Sequence, residues 1–165
     1  MKENINDINL KAFNAFKNDW ALLTSGSFEN HNSMTIAWGA MGTLWQKDVI
    51  TVYVKPIRHT YSFIGKNDYF VVSFFAEEYK EALKIMGRLS GRDVNKDELS
   101  KLTPIKDGDN VIYKEAKLTF ICKKIYYNDI VLDNVPCEEI KKYYQVEEPH
   151  RMYVGEVVKI IENDK

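Results

Sequence analysis

The amino-acid sequence predicts a mainly β protein, a closed or nearly closed antiparallel barrel with a few peripheral helices. Short runs of β-branched and aromatic residues recur along the chain, while helical periodicity is confined to brief stretches. Strands and helices do not alternate regularly, which argues against a doubly wound parallel sheet.

The first element expected is a short helix over residues 8–17, where Ile8, Ala12, Phe13 and Phe16 recur at helical spacing. Residues 20–24 read as a strand, closed by the turn-forming Ser25-Gly26-Ser27. A second strand is expected over residues 34–38 and a third over 49–54. The third is β-branched or aromatic throughout, the pattern of a strand buried on both faces. Pro56 stops it, because proline has no N–H for the ladder. Thr60 is placed to cap a short helix through Ile64, with Gly65 at its end.

Residues 70–75 give another strand. Residues 77–86 form the clearest helix: Tyr79, Ala82, Leu83 and Met86 share a face, and Gly87 stands where a C-cap belongs. Over residues 114–123, Ala116, Leu118, Phe120 and Cys122 alternate with Lys117, Thr119 and Lys123, as in a half-exposed strand. Pro136 precedes a short helix around residues 138–144, and residues 151–161 form a long β-branched strand.

At 165 residues the chain fits a single domain, 1–165, large enough to bury a core without metal or disulfide staples. The net charge of −1 gives no electrostatic reason to expect nucleic acid or an acidic membrane surface as partner. The longest apolar runs are strand-sized, and the polar Met1-Lys2-Glu3-Asn4 lacks the apolar stretch of a secretory signal. Cys122 and Cys137 show no metal-ligand spacing and read as reduced thiols, so the expectation is a cytoplasmic protein without a bound metal.

Three segments carry candidate chemistry. In Asn32-Ser33-Met34-Thr35-Ile36-Ala37-Trp38-Gly39, polar groups suited to a heterocycle edge precede a strand whose Met and Trp could cover its flat face. In Lys55-Pro56-Ile57-Arg58-His59-Thr60, a strand end meets a helix start, where free N–H groups favour an anion. Arg58 adds a planar fork suited to phosphate and Thr60 a hydroxyl. In residues 87–96, Gly87 and Gly91 permit close backbone approach, while Ser90, Arg92 and Lys96 supply donors and positive charge. Together the three suit a phosphorylated heterocycle.

Leu22-Leu23-Thr24-Ser25-Gly26, the Asn32–Thr35 and Trp38-Gly39 residues, Val54-Lys55-Pro56 with Arg58 and Thr60, and the run from Ser90 to Lys96 occur in a telling order and spacing. The combination resembles the flavin reductase-like family, especially its flavoredoxin-type members, and residues 150–156 resemble that family's last long strand. The resemblance implies a Greek-key split β-barrel, noncovalent FMN and a homodimer. It implies that Asn32, Ser33, Met34 and Thr35 border the flavin ring, chiefly through backbone groups. Lys55, Arg58, Thr60, Ser90, Gly91, Arg92 and Lys96 would then serve the ribityl and phosphate end. Lys55 stands where the family carries arginine; it keeps the charge but loses the fork.

The function so implied is an oxidoreductase whose FMN takes hydride or electrons from NADH, NADPH or a redox partner protein. The alternative is an FMN-holding electron carrier without turnover of its own. His150 is the single residue expected on the electron-donor side; His31 and His59 read as structural.

Overall fold

The computed structural model describes residue 5 and residues 8–163. Seven strands share one antiparallel sheet: β1 (Ala21–Gly26), β2 (His31–Ile36), β3 (Gly39–Leu44), β4 (Lys47–Val54), β5 (Tyr69–Phe74), β8 (Leu118–Asp129) and β9 (Arg151–Glu162). A separate hairpin pairs β6 (Pro104–Asp107) with β7 (Asn110–Tyr113). The helices are α1 (Ala12–Asn14), α2 (His59–Lys66), α3 (Lys80–Arg88), α4 (Lys96–Ser100) and α5 (Glu138–Lys141).

The sheet order is β2-β1-β5-β8-β9-β4-β3. β4 lies beside β9 rather than beside its sequence successor β5, which is a Greek-key arrangement. β2 and β3 stand at opposite edges, yet only Ala37 and Trp38 separate them in sequence. Three Cα–Cα steps span at most ~11 Å, whereas a flat seven-stranded sheet would hold its edges ~29 Å apart. The sheet therefore rolls until its edges meet at residues 37–38. The result is the expected split barrel.

Strand alternation divides the apolar residues between two cores. Leu23, Val72, Phe74 and Phe120 point inside the barrel, where Phe74 meets Phe16 and Phe120 edge-on at 5.4 and 6.3 Å. Leu22 and Phe75 point outward and are covered by Leu83 and Met86 of α3 and Tyr113 of β7. Each fully buried side chain of this kind contributes roughly 1.5–3 kcal/mol. Leu118 through Cys122 are all buried, where alternation suggested one exposed face.

Other expectations are corrected locally. The first helix begins at Ala12 and widens at once into a π-helical turn, Ala15–Asp19. That turn carries Ala15 and Phe16 inward and leaves Phe13 in solvent. Thr51 and Tyr53 of β4 are only half-buried. Thr60 does not cap α2: Arg58 holds the N-cap position, and the helix runs past Gly65 to Lys66. Gly87 lies inside α3 rather than beyond it, because it faces Thr35; a Cβ there would stand 3.2 Å from the Thr35 Cβ. Gly87 is a close-approach glycine. Among the described residues no helix is long and apolar enough to cross a membrane, and no cluster of His, Cys, Asp or Glu is arranged to hold a metal ion.

Candidate functional site

A cleft of about 610 Å³ opens where β2, the end of β4, the start of α2 and the loop between α3 and α4 converge. Asn32 and Met34 line it from β2, and Lys55, Arg58 and Thr60 from the β4–α2 junction. Ser90, Gly91, Arg92 and Lys96 line it from the α3–α4 loop and the start of α4, and His150 from the residue before β9. Side chains alternate along β2, so Ser33 and Thr35 turn away. Ser33 Oγ bonds Thr24 and Tyr113 beneath the surface, and Thr35 Oγ1 donates to the Leu83 carbonyl at 2.5 Å. The structure thus brings ten of the sequence-predicted residues to one cleft and leaves the side chains of these two outside it.

The wall between β2 and the α3–α4 loop is tightly built. Asn32 Nδ2 donates to Thr60 Oγ1 at 2.7 Å, which engages the hydroxyl that had been expected to cap α2. Gly91 packs on the Asn32 amide with no room for a Cβ. The loop beyond it turns back on itself: Ser90 Oγ accepts from the Arg92 N–H, and the Ser90 carbonyl accepts from Asp93 and Val94. Ser90 keeps its hydroxyl proton for another acceptor.

Lys55, Arg58, Arg88, Arg92 and Lys96 face the cleft, against the carboxylates of Asp93 and Glu147. Arg58 donates one guanidinium N–H to the Gly87 carbonyl at 2.6 Å, and Lys96 donates to the carbonyls of Met86 and Ser33. Both cations thereby cap the end of α3, where carbonyls lack helical partners and the dipole is negative. Arg58 retains further N–H groups for a ligand, and Lys96 retains one. Burial pushes the Arg58 guanidinium below its ordinary range, opposed by the charge of Glu147. Burial and the neighbouring Arg58 lower the Lys96 ammonium to about 8, with Asp97 opposing them. Arg92 reaches across to the Ile57 carbonyl at 3.1 Å.

Lys55 is committed differently from the sequence expectation. Its ammonium lies 2.5 Å from Glu147 Oε2, an ion pair that ties the end of β4 to the segment before β9. Sequence reasoning missed Glu147, which belongs to no periodic element and reaches Lys55 only through the tertiary fold. It also passed over Arg88 as a separate candidate, although the residue lies in the segment singled out.

His150 packs against Trp38, ring centroids 5.0 Å apart, and its Nδ1 lies 3.2 Å from the Tyr144 hydroxyl. Burial first, and then the Lys55 charge, lower its pKa to about 4, so the ring is neutral near neutrality. His59, expected to be structural, also lines the cleft; its Nδ1 is buried without a hydrogen-bond partner among the described residues. Burial, reinforced by Arg92 and Lys96, pushes its pKa below the usual value. A positively charged cleft with free donors and an unpartnered ring nitrogen fits an anion attached to a polar organic body.

The comparisons with known proteins agree with this architecture. No curated protein matches the sequence. Among solved structures, flavoredoxin from Methanosarcina acetivorans superposes with a TM-score of 0.71 at 18% identity, covering 99% of this chain and 76% of that one. An FMN-binding protein from Thermus thermophilus with bound 1-cyclohex-2-enone gives 0.71 at 18%, covering 98% and 80%. A split barrel domain protein from Shewanella frigidimarina NCIMB 400 gives 0.71 at 16%, covering 100% and 80%. At these identities the likeness establishes the fold. The family model of the flavin reductase like domain matches residues 13–165, nearly the whole chain, and this protein belongs to that family.

Proposed function

We propose that the protein is an FMN-binding oxidoreductase that holds the cofactor noncovalently in this cleft. In this reading it passes hydride or electrons from NADH, NADPH or a protein donor to an acceptor. The observation that carries the reading is the convergence of Arg58, Ser90, Arg92 and Lys96 on one cleft, in a chain of the flavin reductase family. Their unengaged donors match a dianionic phosphate, and the close approach of Gly91 to Asn32 lets backbone draw near a ligand. Asn32 and Met34, with the backbone of Ser33 and Thr35, are assigned to the ring end. Bound FMN would supply the hydride- and electron-accepting chemistry.

The chain's own residues bind and orient. Arg58 and Lys96 hold the anion while anchored on α3 carbonyls, so their positions are fixed before binding. Lys55 acts through Glu147, holding the segment that carries His150 against the cleft. His150, neutral and packed on Trp38, presents a flat polar edge on the donor side rather than an acid.

The same reading includes a homodimer and a cytoplasmic location. Trp38, Ile57, Tyr143 and Val146 are exposed apolar residues beside the cleft, the composition of an interface core. Cys122 and Cys137 are both free thiols, in keeping with a reducing compartment. The test is to load the protein with FMN, remove oxygen and add NADH or NADPH. Bleaching of the yellow absorbance supports an enzyme with its own nicotinamide turnover. No bleaching with either, but bleaching with a reduced redox protein, assigns it to electron carriage. Failure to retain FMN at all overturns the reading.

A further inference from the structure

Behind the cleft a buried polar chain runs from β1 to α4. Thr24 Oγ1 and Ser33 Oγ are 2.8 Å apart, and Ser33 Oγ and the Tyr113 hydroxyl 2.9 Å. Tyr113 donates to Asp97 Oδ1 at 2.6 Å, and Asp97 Oδ2 meets His31 Nε2 at 3.0 Å. A carboxylate only accepts, so the direction of each link follows: Thr24 donates to Ser33, Ser33 to Tyr113, and Tyr113 to Asp97. His31 Nδ1 faces the Phe28 carbonyl at 3.2 Å, so both ring nitrogens meet acceptors and the imidazolium satisfies both.

This chain closes on Lys96. The Lys96 ammonium donates to the carbonyl of Ser33, whose hydroxyl leads through Tyr113 to Asp97, the residue next to Lys96 in sequence. Two of its three N–H groups are engaged by Ser33 and Met86, which leaves one for the cleft. Neither Asp97 nor Tyr113 lines the cleft. We propose that Asp97, fixed by Tyr113 and His31, is a positioning residue for Lys96, directing its free N–H into the cleft and keeping it charged there. The proposal rests on the reading that the cleft takes the FMN phosphate.

Burial first, and then the Arg58 charge, lower the Lys96 pKa, and the charge of Asp97 opposes them. His59 of α2 and Arg92 and Asp93 of the α3–α4 loop face the same volume from the cleft side. Glu29 and His31 share with Lys96 and Asp97 a smaller cavity behind it.

Asp97→Asn keeps an oxygen to accept from Tyr113, removes the charge, and sets an amide N–H against His31 Nε2, which the neutral ring can accept. FMN and riboflavin dissociation constants are measured across neutral and alkaline pH. In wild type, FMN binding weakens as pH rises through the Lys96 pKa near 8, while riboflavin binding does not change. In Asp97→Asn the weakening moves to lower pH, because the charge that opposes the lowering of the Lys96 pKa is gone. Adding Lys96→Arg to that variant abolishes the shift, because a guanidinium does not titrate there. An unshifted profile in Asp97→Asn overturns the proposal. So does an equal loss of FMN and riboflavin binding, which would make the network scaffold alone. Should Asp97→Asn not fold, Tyr113→Phe removes one hydroxyl at unchanged shape. A selective loss of FMN over riboflavin then supports the proposal, and an unchanged ratio overturns it. Wild type that binds both flavins alike with no pH dependence refutes the phosphate reading itself, and the proposal with it.

Discussion

Gly91 and Asn32 pack so closely that a Cβ on residue 91 would overlap the Asn32 amide oxygen and stand 3.1 Å from its Cγ. The amide has nowhere to retreat, because its nitrogen donates to Thr60 at 2.7 Å and His59 Cδ2 would lie 3.3 Å from the same Cβ. Gly91→Ala should therefore displace Asn32, break its bond to Thr60 and distort both walls of the cleft. Overpacking of this kind costs about 1–3 kcal/mol. A lowered Tm together with weakened FMN binding is expected; a variant with wild-type Tm and affinity would contradict the assigned role of this contact.

Arg58→Ala removes a charge-assisted donor from the proposed phosphate site. Such bonds contribute roughly 1.5–3 kcal/mol, so FMN should bind about ten- to a hundredfold more weakly. Riboflavin, which has no phosphate, should bind as before. The variant also strips the Gly87 carbonyl of its cap, so a small fall in Tm is expected alongside. Fluorescence titration of both flavins separates the two effects: an equal loss for both would mean a structural defect, and no loss for either would place the phosphate elsewhere.

Stability against pH should carry two histidine signatures of opposite sign. Burial pushes the His31 imidazole down, but the hydrogen bond and charge of Asp97 prevail and raise its pKa above the usual value. Its contribution is therefore full below the unfolded pKa of about 6.5 and is lost as pH rises through the raised folded value. His150 is lowered to about 4, so it destabilises the fold as pH falls from the unfolded value toward 4. Denaturation midpoints of His31→Gln should lose the alkaline-side decline relative to wild type. Those of His150→Asn should lose the acid-side decline. Variants that change the opposite side would reverse the assignment.

Glu147→Gln leaves Lys55 without its carboxylate partner and removes a negative charge that faces Arg58. The cleft becomes more attractive to a dianion, so FMN should bind several-fold more tightly at low salt, with the gain fading as salt screens it. Titration at two ionic strengths checks this. Weaker FMN binding at both would mean that the ion pair's hold on the His150 segment outweighs its charge.

The candidate site was more legible than the strands around it. Arg58, Ser90 and Lys96 stand in short segments whose residue types announce an anion site, although only the tertiary fold brings the two segments into one cleft. Strand β3 gave no such sign. It joins β4 through Trp45 and Gln46 at φ 51° and 59°, a tight turn whose usual Asn-Gly signature is absent. The β6–β7 hairpin did carry a turn signal, Gly108-Asp109 with Gly108 at φ 59°, but its strands are only four residues each. Glu147 and the Asn32–Thr60 bond depend on contacts across 92 and 28 residues, and no periodicity encodes those.

The sheet order also dictates when the molecule can become whole. β8 and β9 stand between β5 and β4, so the strands made earlier form two unjoined ladders, β2-β1-β5 and β4-β3. Only the hairpin-like pair of residues 118–162 bridges them, and it does so by pairing with partners far back in the chain. Closure of such distant loops precedes its reward, which slows folding and leaves sheet edges open meanwhile. On the ribosome, the edges of β5 and β4 that β8 and β9 later cover stay open until those two strands emerge, and that interval is when a chaperone has most to shield.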